Sequence, residues 1–564
     1  MKSLTGLDAT FLYLETPEMP MHVGSLNLCE LPAGFKGSFH KAVQQHIASR
    51  MHLTPVFSRK LVFMPFDLGH PLWVEAESVD VDFHIRRVPC SAQKPMSLAQ
   101  AHTMVARLHS ELIDRAHPLW EFYVFDAIKL PTGERVGGFF SKIHHAALDG
   151  KGSVMLANAM LDMGPVPREV APPDPTRRRK LESDLKLGRM IGSVFSSSLG
   201  QLAKLAKTLP SAASTLGSTL ARQTIASSPA GVRPKMPMKL APATPFNTGI
   251  TAERVFVTAT LPLADCKAMG KAVGGSFNDI VLWICSTALR SYLTQHHSLP
   301  KKSLVAAMPV SLRQTEVSGA SDASKLGNQV SMSLVELGTH LAHPLKRMNA
   351  IMASTAKVKA SMQSLKGLLP TDYPSLLAPW LVGGAAKLAL NAYGKSGMAS
   401  RLPMFANLAI SNVPGPPVPL YLAGARFLTF HPLSIVMHGL GLNITIQTYA
   451  DHVDFGIIAG KKALPHAQDL AQAIEAAFEQ ARSLMAGPGT AAPRAAAAAV
   501  ASGTPLGKSP SVKPATRPKI ATINNKATKT SNASSHGTTR TPAVRANPKP
   551  KLASKTAAAR RAAA

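Results

Sequence analysis

The chain predicts an α/β fold built in two halves, followed by a basic tail. Three observations carry this reading. Helical and strand-like apolar periodicities both occur in each half, a proline-bounded connection separates the halves, and the composition changes abruptly near residue 487. At 564 residues the chain is long enough for two or three domains. The expected divisions are a first domain over 1–163, a partly helical connecting segment over 164–243, a second domain over 244–486 and an Ala/Pro/Lys-rich tail over 487–564.

In the first half, Leu98, Ala101, Val105, Leu108 and Leu112 recur at three- and four-residue steps, which predicts a helix ending near Asp114-Arg115. Pro118 punctuates the chain, and 121–129 then reads as a strand. Pro131-Thr132-Gly133 is a turn, and the alternating run 138–143 is a second strand. It leads into His144-His145-Ala146-Ala147-Leu148-Asp149-Gly150, where Asp149-Gly150 reads as a turn and 153–163 as a helix. The connection carries Leu187, Ile191, Val194, Leu202, Leu205 and Leu209 on one helical side, with Lys186, Arg189, Lys204 and Lys207 adding charge. Such a basic amphipathic stretch suits an anionic lipid surface, and equally suits packing on the protein's own body.

The second half opens at Thr244-Pro245-Phe246-Asn247. Ser276 or Asn278 caps a helix whose run 280–285 is apolar all round and is expected to be buried. Val305–Ser311 and Leu442–Tyr449 read as strands, and Ser411-Asn412-Val413-Pro414-Gly415-Pro416 as a loop. A terminal helix carries Leu470, Ile474 and Phe478 and stops at Gly487. The tail over 487–564 holds fourteen of the chain's thirty net positive charges and no acidic residue. With almost no large apolar side chains it cannot offset its chain entropy, so it is expected to be disordered. Anionic lipid headgroups, nucleic acid or plain solvent are its physical options, and without aromatic stacking residues no specific nucleic-acid binding is expected.

Chemistry concentrates at the histidine pair. Successive strand side chains leave opposite faces, so one imidazole should face a cavity and the other the supporting core. An imidazole titrating near ~6.5 suits removal of a proton from an alcohol or amine and its delivery to a leaving group. A metal site would need three or four converging ligands, and only Asp149 lies nearby, so none is expected. No G-x-S-x-G turn offers a serine nucleophile. Core histidines satisfied by packing remain the plain alternative, and Trp120 either lines a channel or fills core.

Composition sets the surroundings. Only 17% of residues are charged and mean hydropathy is +0.06, which points to large cores or a lipid-facing surface. No uninterrupted apolar run approaches the ~18 residues of a membrane span, and no secretory signal is evident. Cys29, Cys90, Cys266 and Cys285 show no pairing pattern and fit free thiols in a reducing compartment. A cytoplasmic protein, peripherally associated with membrane or lipid inclusions, is the expectation.

The motif His144-His145 through Asp149-Gly150 is that of coenzyme A-dependent acyltransferases and peptide-synthetase condensation domains. Further matches narrow the resemblance to the bacterial wax ester synthase/diacylglycerol acyltransferase family. They are Leu7-Asp8-Ala9-Thr10-Phe11-Leu12, Pro20-Met21-His22-Val23-Gly24, Pro118-Leu119-Trp120-Glu121, Asn278-Asp279-Ile280-Val281-Leu282, Met308-Pro309-Val310-Ser311-Leu312-Arg313, Gly327-Asn328-Gln329 and Ser411-Asn412-Val413-Pro414-Gly415-Pro416. Their order holds over about residues 1–485. The resemblance implies two chloramphenicol acetyltransferase-like sandwich domains around a central tunnel. It implies direct transfer from acyl-CoA, a substrate and not a bound cofactor, to a fatty alcohol or diacylglycerol. His145 would be the general base, His144 its neighbour, Asp149 an orienting carboxylate with Arg313 as a candidate partner, and Gly150 would keep the tunnel open. Trp120, Asn278, Asp279, Asn412, Pro414 and Gly415 would border the substrates. A condensation-type module with carrier-protein partners and a non-catalytic lipid-surface protein are the other readings.

Overall fold

The computed structural model describes residues 2–63, 70–148, 150–173, 240–311, 330–365, 388, 392–394, 396–401 and 404–486. The stretch 186–209, the segment containing Arg313 and Gly327-Asn328-Gln329, residue Asp149 and the tail over 487–564 lie outside the described residues.

Strand Arg135–His144 sits inside an eight-stranded sheet, antiparallel to His22–Glu30 on one side and Trp120–Lys129 on the other. Its Phe139 packs into a cluster with Phe39, Val43 and Ile47, while Phe140 enters another with Val105, Phe256 and Ile458. A strand covered on both faces reads as a continuous apolar run, which explains why Phe139-Phe140 are both large. Helix Leu98–Ser110 covers the second face. It begins at a capping box, where Ser97 Oγ accepts the Gln100 N–H and Gln100 returns the bond to the Ser97 N–H. The helix stops at Ser110, so Leu112, read as the last residue of its stripe, is 43% exposed.

The second half is built on a six-stranded mixed sheet, in which Leu408–Val413 runs parallel to both Val305–Ser311 and Leu442–Tyr449. Helix Phe277–Gln295 lies buried against it, with Ile280 through Leu289 in the core. Cys29, Cys90, Cys266 and Cys285 are free and buried. Among the described residues no single helix is long and apolar enough to cross a membrane; the pair Leu263–Ala272 and Phe277–Gln295 passes by composition but is bent by 101°.

The two halves interlock. Segments Tyr421–Leu422, Ala425–Phe427 and His431–Leu433, expected inside the second domain, join the first sheet instead, the latter two beside strand His22–Glu30. Leu422, Ala425 and Phe427 bury in the first-half core. Their short length gives little periodicity to read, and the free edge of His22–Glu30 supplies the hydrogen bonds. Strand His452–Gly460 of the second sheet approaches this crossover closely. A Cβ on Gly456 would sit 1.6 Å from the Pro432 carbonyl oxygen, so only glycine fits.

Candidate active site

His144 closes strand Arg135–His144, and His145 opens the 3-10 turn His145–Ala147 that follows. The main chain of the pair is pinned on both sides: the His144 N–H donates to Leu119 O (3.0 Å) and the His145 N–H to Met21 O (2.8 Å). Arg59 donates through Nη2 to Ala147 O at 2.7 Å and holds the far end of the turn. Two sequence motifs that looked independent, Pro118-Leu119-Trp120 and Pro20-Met21-His22, are thus the walls of the histidine turn.

The two imidazoles have different surroundings, although the expected strand alternation is not the cause, since His145 already belongs to the 3-10 turn. His144 is buried, its Nδ1 accepting the Ala146 N–H at 3.1 Å. That leaves the ring proton on Nε2, which faces Glu15 Oε1 at 3.3 Å. His145 is partly open, with Phe11 stacked on its ring at 3.9 Å between centroids. Its Nδ1 is buried with no partner beyond its own main-chain carbonyl, which favours a proton there and a lone pair on Nε2. Burial pushes His145 down to about 4, so the ring is neutral at neutral pH.

Glu15 was missed by the sequence reading. It caps helix Gly6–Leu14 and is almost fully buried. Its Oε1 accepts the Met21 N–H at 3.0 Å and faces both His144 Nε2 and His22 Nε2, the latter at 3.4 Å; its Oε2 accepts from Arg115 Nη2 at 2.7 Å. At 3.3 and 3.4 Å the histidine contacts are long and angled, nearer to charge–dipole attraction than to full hydrogen bonds. Burial alone would raise the Glu15 carboxyl, but His144 and His22 hold it well below the usual carboxylate range. Burial pushes His22 down to about 4 despite the pull of Glu15. The available signal was local: a single carboxylate ends the apolar run Ala9-Thr10-Phe11-Leu12-Tyr13-Leu14, and a buried charge needs partners.

The other expected site residues are distributed unevenly. Gly150, the last residue of the motif, opens helix Gly150–Met160. Trp120, expected at a channel or in the core, is core. It is 0% exposed, its indole N–H donates to Phe57 O at 3.0 Å, and His84 stacks on it at 4.2 Å, leaving no surface to line a channel. Asp279 is the N3 residue of a capping box: Oδ2 accepts the Ser276 N–H at 2.8 Å and Oδ1 accepts the Thr355 hydroxyl at 2.7 Å. Those bonds hold its carboxyl low against the burial that would raise it. Asn412 and Asn278 do meet, Nδ2 to Oδ1 at 3.3 Å, at the partly open start of helix Phe277–Gln295. Pro414 is exposed. The Gly415 N–H donates to Thr448 Oγ1 at 3.0 Å, and a Cβ there would lie 2.0 Å from the Thr448 carbonyl oxygen, so this glycine serves a close strand approach. No hydrogen bond, ion pair or ring contact joins His145 to Asn278, Asp279 or Asn412. No group of three or more His, Cys, Asp or Glu suited to a metal ion occurs among the described residues.

A neutral histidine on a pinned turn suits proton transfer, and comparisons with known proteins supply the class of reaction. The wax ester synthase/diacylglycerol acyltransferase catalytic domain matches residues 4–281, and the C-terminal domain of the same family matches residues 326–482. The chain belongs to this family. A Mycobacterium tuberculosis protein named "Putative diacyglycerol O-acyltransferase" is 33% identical over 485 residues, covering 85% of this chain and 98% of its own length. The O-acyltransferase WSD of Acinetobacter baylyi is 32% identical over 478 residues, covering 84% and 96%. The solved wax ester synthase/diacylglycerol acyltransferase of Marinobacter aquaeolei VT8 aligns with a TM-score of 0.59 at 28% identity, over 86% of this chain and all of that one.

Proposed function

We propose that the chain is an O-acyltransferase that moves a fatty acyl group from acyl-CoA to the hydroxyl of a long-chain alcohol or diacylglycerol, making wax ester or triacylglycerol. The observation that carries the residue assignment is the His145 ring, neutral, stacked on Phe11 and presenting Nε2 as its available nitrogen. In this reading Nε2 takes the hydroxyl proton as the alcohol oxygen attacks the thioester carbonyl. The tetrahedral adduct then collapses, the C–S bond breaks, and the imidazolium returns the proton to the departing thiolate. A group pushed down to about 4 is a weak base but a strong acid once protonated, which favours the second step. Acyl-CoA is consumed as a substrate, and the proton cycle closes on His145 without a further cofactor.

Asp149 is assigned an orienting, non-reacting role, and Gly150, which starts helix Gly150–Met160, is assigned the room beside the histidine. Asn278 and Asn412 are the candidates for bordering a substrate, since they meet at a partly open helix start. Peripheral contact with a membrane or lipid inclusion is proposed for the same chain on the strength of its basic tail.

Thiol release from palmitoyl-CoA by the purified chain, with hexadecanol, with diolein and with neither, tests the reading. Acceptor-dependent release that falls by roughly 10²–10⁴-fold in His145→Ala supports it. Near-normal turnover in that variant removes His145 from the mechanism. A chain that releases no thiol with either acceptor is a binding protein and not this enzyme.

A further inference from the structure

We infer that Glu15 is the positioning residue of the histidine pair. It reaches both members by separate routes. Its Oε1 faces the His144 ring at 3.3 Å, and the same oxygen accepts the Met21 N–H at 3.0 Å. The Met21 carbonyl in turn accepts the His145 N–H at 2.8 Å. One carboxylate therefore sets the orientation of the first imidazole and, through a single residue, the main chain of the second. Phe11, on the helix that Glu15 caps, stacks on the His145 ring, so helix Gly6–Leu14 grips the pair from ring and backbone together.

The arrangement is costly unless it is used. Glu15 is a buried anion, and its charge is supported by Arg115, whose Nη2 lies 2.7 Å from Oε2 and also donates to Leu12 O at 2.9 Å. An isostere without charge would pack as well and need no Arg115. A carboxylate does what an amide cannot: both oxygens are negative acceptors, so Oε1 takes the Met21 N–H and attracts the His144 ring while Oε2 takes the Arg115 guanidinium. His22 competes for Oε1 at 3.4 Å. Its Nδ1 lies 3.3 Å from His109 O, and a neutral ring with one N–H serves only one of these acceptors at a time. His144 has no such rival, because Ala146 N–H occupies its Nδ1. Glu15 therefore acts on the reaction through His144 and Met21 and touches no substrate itself.

This inference rests on the acyl-transfer reading, and its test separates the two. In Glu15→Gln, kcat for hexadecanol acylation should fall by about 10²-fold, as expected when a reacting group is misplaced by about 1 Å. KM for palmitoyl-CoA should stay within about two-fold, and the melting temperature close to wild type. The decisive arm is a cycle with His145→Ala. If Glu15 works by placing His145, Glu15→Gln has no further effect on the residual rate of His145→Ala. Equal losses in both backgrounds would overturn the proposal, as would a Glu15→Gln enzyme with unchanged kcat. Should Glu15→Gln melt below the assay temperature, Glu15→Asp, which keeps the charge and withdraws it by one methylene, takes its place in the same cycle. If wild-type protein releases no thiol, the acyl-transfer reading fails. Positioning is then judged by the rate of diethyl pyrocarbonate modification at His145, read by peptide mapping with His117 as internal control. A several-fold faster rate in Glu15→Gln supports it, and an unchanged rate refutes it.

Discussion

Replacing Gly24 by alanine measures how tightly the histidine strand is held. Gly24 lies in strand His22–Glu30 opposite Lys142, two residues before His144. A Cβ there would sit 1.8 Å from the Ser141 carbonyl oxygen, 3.0 Å from its carbon and 3.4 Å from Lys142 Cα. All three are main-chain atoms, so no side-chain rotation relieves the overlap. Reaching ordinary contact requires the strands to part by about 1.6 Å, a strain at the upper end of overpacking, roughly 3 kcal/mol. The same parting acts on the His22–His144 register pair and on the 3.3 Å approach of His144 to Glu15. A displacement of about 1 Å at a reacting group costs on the order of 10²-fold in rate. Gly24→Ala should therefore lower the melting temperature by several degrees and acceptor-dependent thiol release by about 10²-fold. Gly164→Ala is the control, since a Cβ there meets nothing within 4 Å. Identical melting and turnover in the two variants would refute the claim that backbone contact at Gly24 sets the histidine turn.

Stability should decline as pH falls from about 6.5 toward 4. Burial pushes His22, His84 and His145 to about 4 and His102 to about 3, so below 6.5 the unfolded chain takes up protons that the folded chain refuses. Each refused proton removes about 1.4 kcal/mol per pH unit, with His452, raised by Asp454 and Asp451 against burial, opposing the trend. Urea unfolding midpoints that stay flat from pH 7 to 5 would contradict these burial states. Removal of residues 487–564 should leave turnover on detergent-dispersed substrate nearly unchanged while weakening flotation with anionic vesicles. The fourteen positive charges lost are each worth about 1 kcal/mol near such a surface. Binding that is equal and salt-insensitive in full-length and truncated protein would move the lipid contact elsewhere, with 186–209 the next segment to delete.

What could be read from the residues was whatever local chemistry decides. Strands Trp120–Lys129, Val305–Ser311 and Leu442–Tyr449 lie within a residue of where periodicity and punctuation put them, helix Leu98–Ser110 starts there but ends one turn early, and of the two capping candidates Ser276 is the cap; each depends on neighbours within a few positions. The histidine pair was legible as a strand end followed by a turn; His144 is buried and His145 partly open, but they diverge because the chain leaves the strand for a 3-10 turn at His145 and not by strand alternation. The family motifs added the reaction, though not the function of each residue within them. Trp120 and Asp279 sit in two such motifs and are a core side chain and a helix cap.

Tertiary structure alone decided what depends on distant segments meeting. Nothing near Glu15 names His144 as the partner its carboxylate will face, since the contact exists only once helix Gly6–Leu14 packs on the turn His145–Ala147. The strands Ala425–Phe427 and His431–Leu433 belong by chain order to the second half, yet complete the first sheet. Their pairing is decided by an open edge on His22–Glu30 and by a glycine at 456 that lets the crossing pass. Local periodicity fixes which face a residue presents; which partner lies opposite is fixed by register and packing across the fold, and a buried charge such as Glu15 becomes tolerable only when that partner arrives.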